Sequence, residues 1–250
     1  MKTINYYNIM KLLVFILAIT LMSFSCKHQQ PENKVAFDNK VEEMGNMVPK
    51  LQKDTLFVFE EYKANQLPQD WSQFFTGRGD GTDWKIVNEN GNKVLAQLSS
   101  DNPNYHFNGI VFDEFITKNV KLTVKMKAIS GKKDQGGGFV WRYIDKDNYY
   151  VVRANPLEDN VVLYKVVDGD RSDLTVLGKN GGYGVDVERL GQNWNTLSVK
   201  VIDDLFTVYL NDKEIFQVKD QTFVNQGKVG LWTKADAVSY FDDFKIEKLK

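Results

Sequence analysis

The stretch GGGFVWRYIDKDNYYVVR, Gly136 to Arg153, places two arginines and five large aromatics around a polar turn. A period-two reading predicts two strands joined by Asp145–Asn148. On that register Ile144 faces Tyr149, Arg142 faces Val151 and Val140 faces Arg153. One face would then carry Arg142, Tyr149 and Arg153 among aliphatic residues. The other would carry Phe139, Trp141, Tyr143, Tyr150, Val152 and Ala154, apolar enough to be core. Two guanidinium groups on one face repel unless an anion or a rich set of acceptors lies near them. A carboxylate from Glu158, Asp236 or Asp242 would turn them into an ion network. Alternatively, their forked donors and the tyrosine edge would serve sugar hydroxyls or a uronate.

Two further segments carry residues of the same kind. In WTKADAVSY, Trp232 could stack on a sugar ring while Lys234 and Asp236 hydrogen-bond its hydroxyls; the alternative is a core tryptophan and an ordinary polar loop. In RANPLEDN, Asn155 and Glu158 follow Arg153 closely enough to share its site. If the chemistry is catalytic, Glu158, Asp236 and Asp147 are the carboxylates to test as acid or base. Asp80 and Asp83 in GRGDGTDW, with Asp242 and Asp243 near the C-terminus, are oxygen ligands of the type a structural calcium takes; no other cofactor is expected. Asp145–Asn148 lacks the glycine and distal glutamate of an EF-hand and reads as a turn. The two histidines, His28 and His106, cannot make a histidine-rich zinc site. Neither Gly136–Gly138 nor Gly181–Gly184 is followed by the Lys-Ser/Thr of a phosphate loop, so both read as strand edges and bends.

These residues sit among short runs of β-formers separated by Gly, Asn and Asp clusters. In VKLTVKMKAI, Leu122, Val124, Met126 and Ala128 face one way and Lys121, Thr123, Lys125 and Lys127 the other. Leu197, Val199 and Val201 repeat the pattern, and YLNDKEIF reads as a tight hairpin turning at Asn211-Asp212. Strands of this kind, with turn signals every 8–12 residues or so and no long amphipathic helix, predict an all-β antiparallel two-sheet sandwich.

The N-terminus has another character. LLVFILAITLM, Leu12 to Met22, is too short for a bilayer span, which needs about 20 apolar residues, and has the length of an export-signal core. SFSC then ends on Cys26, the only cysteine in the chain. It resembles a bacterial lipoprotein cleavage box, with Ser23 at a position where leucine is more usual. The expected organisation is a lipoprotein signal peptide over residues 1–25, a polar tether with lipidated Cys26 over 26–54, and a β-domain over 55–250. A short helix is expected within the tether at 41–47. The expected location is the bacterial cell envelope, at the periplasmic face or cell surface, with the bilayer as partner through the Cys26 acyl anchor. A net charge of −1 leaves no electrostatic footprint for nucleic acid.

The β-domain resembles the concanavalin A-like lectin/glucanase jelly roll, which includes laminin G-like domains. GKVGLWTKADAVSYFDDFKIEKL is similar to its closing strands. The middle stretch from GGGFVWRYIDKDN to VVLYKVVDGD, with LPQDWSQF and DWKIVNENGNKVLAQ, resembles exported bacterial proteins grouped as 3-keto-disaccharide hydrolase-like or family 16-like. The resemblance implies the jelly-roll fold and carbohydrate binding on a concave face, in glycan capture or processing. It leaves open a glycoside hydrolase or 3-keto-disaccharide hydrolase-like enzyme, and a protein-interaction module. Family 16 hydrolases carry Glu-x-Asp-x-x-Glu on one strand, whose alternation aims the carboxylates at the scissile bond. No glutamate in this chain is followed two residues later by aspartate, so that motif is absent.

Overall fold

The computed structural model describes residues 40–43 and 53–250. The expected signal peptide, Cys26 and most of the tether lie outside the described residues. Residues 40–43 are helical, at the start of the segment read as a short helix. No helix among the described residues is long and apolar enough to cross a membrane.

Sixteen strands follow among the described residues. They are β1 (Thr55–Phe57), β2 (Trp71–Gly77), β3 (Trp84–Glu89), β4 (Asn92–Gln97), β5 (His106–Thr117), β6 (Val120–Ser130), β7 (Gly137–Asp145) and β8 (Asn148–Asn155). Then come β9 (Asn160–Val167), β10 (Asp170–Asp173), β11 (Val185–Asp186), β12 (Asn195–Ile202), β13 (Leu205–Leu210), β14 (Lys213–Lys219), β15 (Gly227–Lys234) and β16 (Val238–Lys248). They form two antiparallel sheets. The first runs β14-β13-β12-β6-β16-β4-β3 with β1 also on β16; the second runs β10-β9-β8-β7-β15-β5-β2 with β11 also on β9. This is an all-β jelly-roll sandwich.

The alternation in β6 sets the first sheet. Leu122, Val124, Met126 and Ala128 are all but fully buried, each of the larger ones gaining about 1.5–3 kcal/mol from burial. The lysines between them face water, where Lys125 pairs with Asp243 and Lys127 with Glu89. The β13–β14 hairpin turns at Asn211 and Asp212, whose φ values of 49° and 64° suit these residue types.

The middle of the second sheet is buried on both faces: every residue of β8 is buried. Phe139, Trp141, Tyr150 and Val152 face the first sheet, with Trp141 and Tyr150 against Phe206 and Phe139 against Phe244. The opposite face is closed because the sheet curls until its edges meet. Thr76 of β2 bonds the Lys146 carbonyl and the Tyr149 hydroxyl. Tyr105 donates to the Gly169 carbonyl at 2.9 Å and accepts from the Arg171 amide at 3.0 Å. Phe74 folds over Gly109, where any Cβ would come within 2.1 Å of its ring, and packs on Tyr143 and Tyr149. The hollow is thus filled by a second aromatic cluster that includes Phe107, Tyr149, Tyr164 and Trp232.

The β7–β8 register corrects the expected facing. The turn is tighter, with Asp145 opposite Asn148, and Val140 pairs with Val151 while Gly138 pairs with Arg153. Arg142, Tyr143 and Ile144 bulge opposite Tyr149, and Arg142 has φ 46°. The bulge exchanges two side chains: Tyr143 joins the Phe74–Tyr149 cluster, and Arg142 lies over Phe206 on the inter-sheet side. A close approach by β15 accompanies the bulge, since a Cβ on Gly227 would sit 2.5 Å from the Arg142 carbonyl carbon.

Candidate functional site

Arg142 is therefore not part of a two-arginine platform. Its guanidinium bonds the carbonyls of Lys118, Phe223 and Asp203, tying three connections at one end of the sandwich. Burial pulls its pKa below the ordinary arginine value against the opposing pull of Tyr150, Asp203 and Asp204. Tyr149 and Trp232 are also enclosed, both at 0% exposure. Tyr149 is bonded to Thr76 and Trp232 packs on Phe107 at 5.5 Å. Neither offers a stacking platform to solvent.

Arg153 is the centre of a different cluster, at the end of the second sheet where β8 turns into β9. Its side chain is buried, and Gly136 leaves room beside it: a Cβ there would stand 3.1 Å from the Arg153 Cδ. Nη1 donates to the Asn160 backbone and side-chain oxygens. Nη2 donates to Glu158 Oε2 at 2.7 Å and to the hydroxyls of Tyr164 and Tyr183 at 3.2 Å each. Nε is buried without a partner among the described residues. Burial opposes the charge on Arg153, but Tyr164, Tyr183 and Glu158 outweigh it and hold the pKa above the ordinary arginine value. Burial also pushes the Tyr164 phenol far up, against the pull of Arg153 and Arg171. The phenol is neutral at physiological pH, and its hydroxyl bonds that of Tyr183.

Beside this lies a second polar layer. Asp134 accepts from Lys234 Nζ at 2.6 Å, the Gly136 amide at 2.7 Å and Asn155 Nδ2 at 3.2 Å. Asp236 supports the layer from below by accepting the backbone amides of Lys132, Lys133 and Asp134. Burial raises the Asp236 pKa, but those amides together hold it below the ordinary aspartate value. A general acid needs the opposite shift, so Asp236 is a loop anchor. Asp147 lies at the far end of the eight-residue β8 from Glu158, about 25 Å away at 3.3 Å per residue. It cannot share a reaction centre with Glu158.

The cluster opens to water through Glu158 and Tyr183, 41% and 47% exposed. Tyr183 sits in GKNGGYGVD, where Gly178, Gly181, Gly182 and Gly184 all have positive φ, a conformation glycine adopts without strain. Of the residues expected to bind ligand, Arg153, Asn155, Lys234 and Asp236 come together, with Glu158 at the rim. Arg142, Tyr149 and Trp232 lie elsewhere. Asn160, Tyr164, Tyr183 and Asp134 complete the cluster, and sequence reasoning did not select them. A tyrosine among glycines was the one legible signal, read there as a bend.

The calcium candidates do not converge. Among the described residues no three Asp, Glu, His or Cys side chains form a metal-ligand set. Asp83 pairs with Lys85 at 2.9 Å and Asp243 with Lys125 at 2.6 Å. Asp242 accepts from Asn92, at the opposite end of β4 from the Gln97 that pairs with Trp84, next to Asp83. Asp80 is exposed in the loop before β3.

No family model matches the chain, and no curated protein matches it significantly. Solved structures do share its fold. The carbohydrate-binding module CBM66 from Bacillus subtilis is 18% identical, with a TM-score of 0.52 over 72% of this chain and 96% of that one. A GH16 protein of the Bacteroides ovatus mixed-linkage glucan locus, in complex with a product, is 11% identical with a TM-score of 0.55 over 78% and 100%. A glycoside hydrolase family 16 endo-glucanase from the same organism is 12% identical with a TM-score of 0.53 over 73% and 97%. At these identities the likeness is one of fold: the chain is similar to concanavalin-like, glucanase-like β-sandwiches.

Proposed function

We propose that this protein binds carbohydrate at the Arg153 end of its second sheet, as a lipid-anchored component of the bacterial cell envelope engaged in glycan capture or processing. The observation that carries the reading is the solvent-facing rim of the Arg153 cluster. There Glu158 and Tyr183 stand exposed on a buried guanidinium, with Asn155 and Lys234 in the adjoining layer. Sugars are bound by such combinations of fixed polar groups and one aromatic ring. Sandwiches of similar fold include a carbohydrate-binding module and glucanases, which supports the same class of ligand. The anchor would be Cys26, with residues 26–54 as tether.

Binding is favoured over hydrolysis because the carboxylates of the cluster are already engaged. Glu158 pairs with Arg153, Asp134 with Lys234, and Asp236 with three amides. The test is a glycan array with wild type, Glu158→Gln and Tyr183→Ala, run beside turnover assays on the polysaccharides that score. Signal lost in both variants without turnover supports the reading. Turnover abolished by Glu158→Gln would make the protein an enzyme, and absence of any glycan signal would remove the reading.

A further inference from the structure

A second arginine borders the same cluster, from the edge of the sheet. Arg171 is on edge strand β10, where it pairs with Val166 of β9. Its side chain lies on the curled face of the sheet. Its Cζ is 4.4 Å from the Tyr164 ring centre and 4.8 Å from that of Phe107. Arg153 approaches the same Tyr164 ring at 5.9 Å and the Tyr183 ring at 5.7 Å. Two guanidinium groups therefore flank one tyrosine.

Their partners differ. Arg153 has Glu158, two tyrosine hydroxyls and Asn160. The Arg171 side chain has aromatic contacts but no hydrogen bond or ion pair with any described residue, and its Nη1 is buried without a partner. Asp170 and Asp173, its neighbours on β10, are exposed and make no ion pair with it. A guanidinium held over two rings points its donors outward in the plane; with Nη1 enclosed, Nε and Nη2 are the pair left for something at its edge. It is also pre-organised, because the rings and the Tyr105–Arg171 backbone bond fix its position. Glu158 answers the Arg153 charge and Lys234 and Asp134 cancel each other, while Asp173, opposite Tyr164 in register, makes no ion pair with Arg171 and leaves its donors free. The geometry matches a planar or tetrahedral oxyanion taken by the fork.

We infer that the ligand of this site is an acidic glycan, whose carboxylate or sulfate ester is held by Arg171 while Glu158 and Tyr183 contact the neighbouring sugar. The inference rests on the carbohydrate reading above and sharpens it. A neutral sugar gains little from the Arg171 edge, whereas an oxyanion gains a charge-assisted hydrogen bond there.

The test is an array of the full chain on glycan backbones printed in pairs. Each pair holds the acidic form and its neutralised counterpart: uronates against methyl esters, sulfated against desulfated chains. Wild type is expected to favour the acidic member at least tenfold, with the preference falling as salt rises. Arg171→Met is expected to abolish the preference at an unchanged melting temperature within a few degrees. Arg171→Lys, which keeps the charge but not the fork, should lose most of it. The uronate and sulfate arms identify which oxyanion is bound. Equal signal on acidic and neutral members, or a preference that survives in Arg171→Met, overturns the inference and leaves the carbohydrate reading standing. Absence of signal on every backbone overturns both.

Discussion

The Arg153 guanidinium and the Glu158 carboxylate meet at 2.7 Å, the first side chain 2% exposed and the second 41%. The pair spans the boundary between core and solvent, so its two ends answer to different forces. Removing Glu158 leaves Arg153 with Asn160 and two tyrosines as partners. Glu158→Ala is therefore expected to cost only about 1 kcal/mol, the range of a partly solvated ion pair. Arg153→Met empties a buried network and should cost about 3 kcal/mol, since several donors and acceptors lose their partners together. Urea denaturation of the three proteins measures both values, and the ordering is the prediction.

Arg142 provides the control for site specificity. It is buried like Arg153 but bonds only backbone carbonyls, those of Lys118, Phe223 and Asp203. Arg142→Lys should destabilise by about 2–4 kcal/mol, because one ammonium cannot span three separated acceptors. Glycan binding by the folded fraction should be unchanged. Loss of binding at preserved stability would show that the two ends are coupled.

The bulge that separates the two arginines depends on Gly227. Its φ is not positive, so an alanine there is excluded by contact alone: its Cβ would stand 2.5–2.6 Å from Arg142 backbone atoms. Gly227→Ala is expected to cost about 1–3 kcal/mol as an overpacking substitution. A chemical-denaturation midpoint lowered without a change in slope would be the expected readout.

This bulge also marks where sequence reasoning gave way. Alternation in β6 and β12 was legible because each strand has one wet face and one dry face, and Leu122 to Ala128 leave no choice of side. Strand β8 is dry on both faces, so YYVVRAN carries no polarity signal to fix its register, and nothing in FVWRYID announces three residues opposite one. Tyr149 and Trp232 pass for ligand-facing residues in the sequence because the closing of the sheet depends on long-range contacts. Tyr105 meeting Gly169 and Arg171 is one, and Thr76 meeting Lys146 is another. Arg153, Asn155 and Glu158 were found together because one tight turn carries all three. Tyr183 reaches them through a loop whose course local patterns do not specify, and Arg171 through the curl of the sheet at its edge strand β10.

Acid should loosen the molecule at two defined places. Burial raises both Asp220 and Asp236, yet hydrogen bonds win in each. Asp220 is held low by Thr222, Tyr150 and Lys165, and Asp236 by the amides of Lys132 to Asp134. Because their folded pKa values lie below the ordinary 3.8, both contribute stability above that pH and lose it as pH falls through the folded values. Asp236→Asn should lower stability at neutral pH and flatten the decline below about pH 4. Melting temperatures of the two proteins from pH 7 to pH 2 check this; parallel curves would contradict it.

Ligand entry beside Arg153, and not through the filled hollow or at the Arg142 end, is what the carbohydrate reading requires. Hydrogen exchange of the full chain, with and without a glycan that binds it, addresses this directly. Slowed exchange is expected in residues 155–160, 178–184 and 170–173, with the 142–147 and 220–223 segments unchanged. Protection confined to the latter segments, or spread evenly over the sandwich, would contradict it.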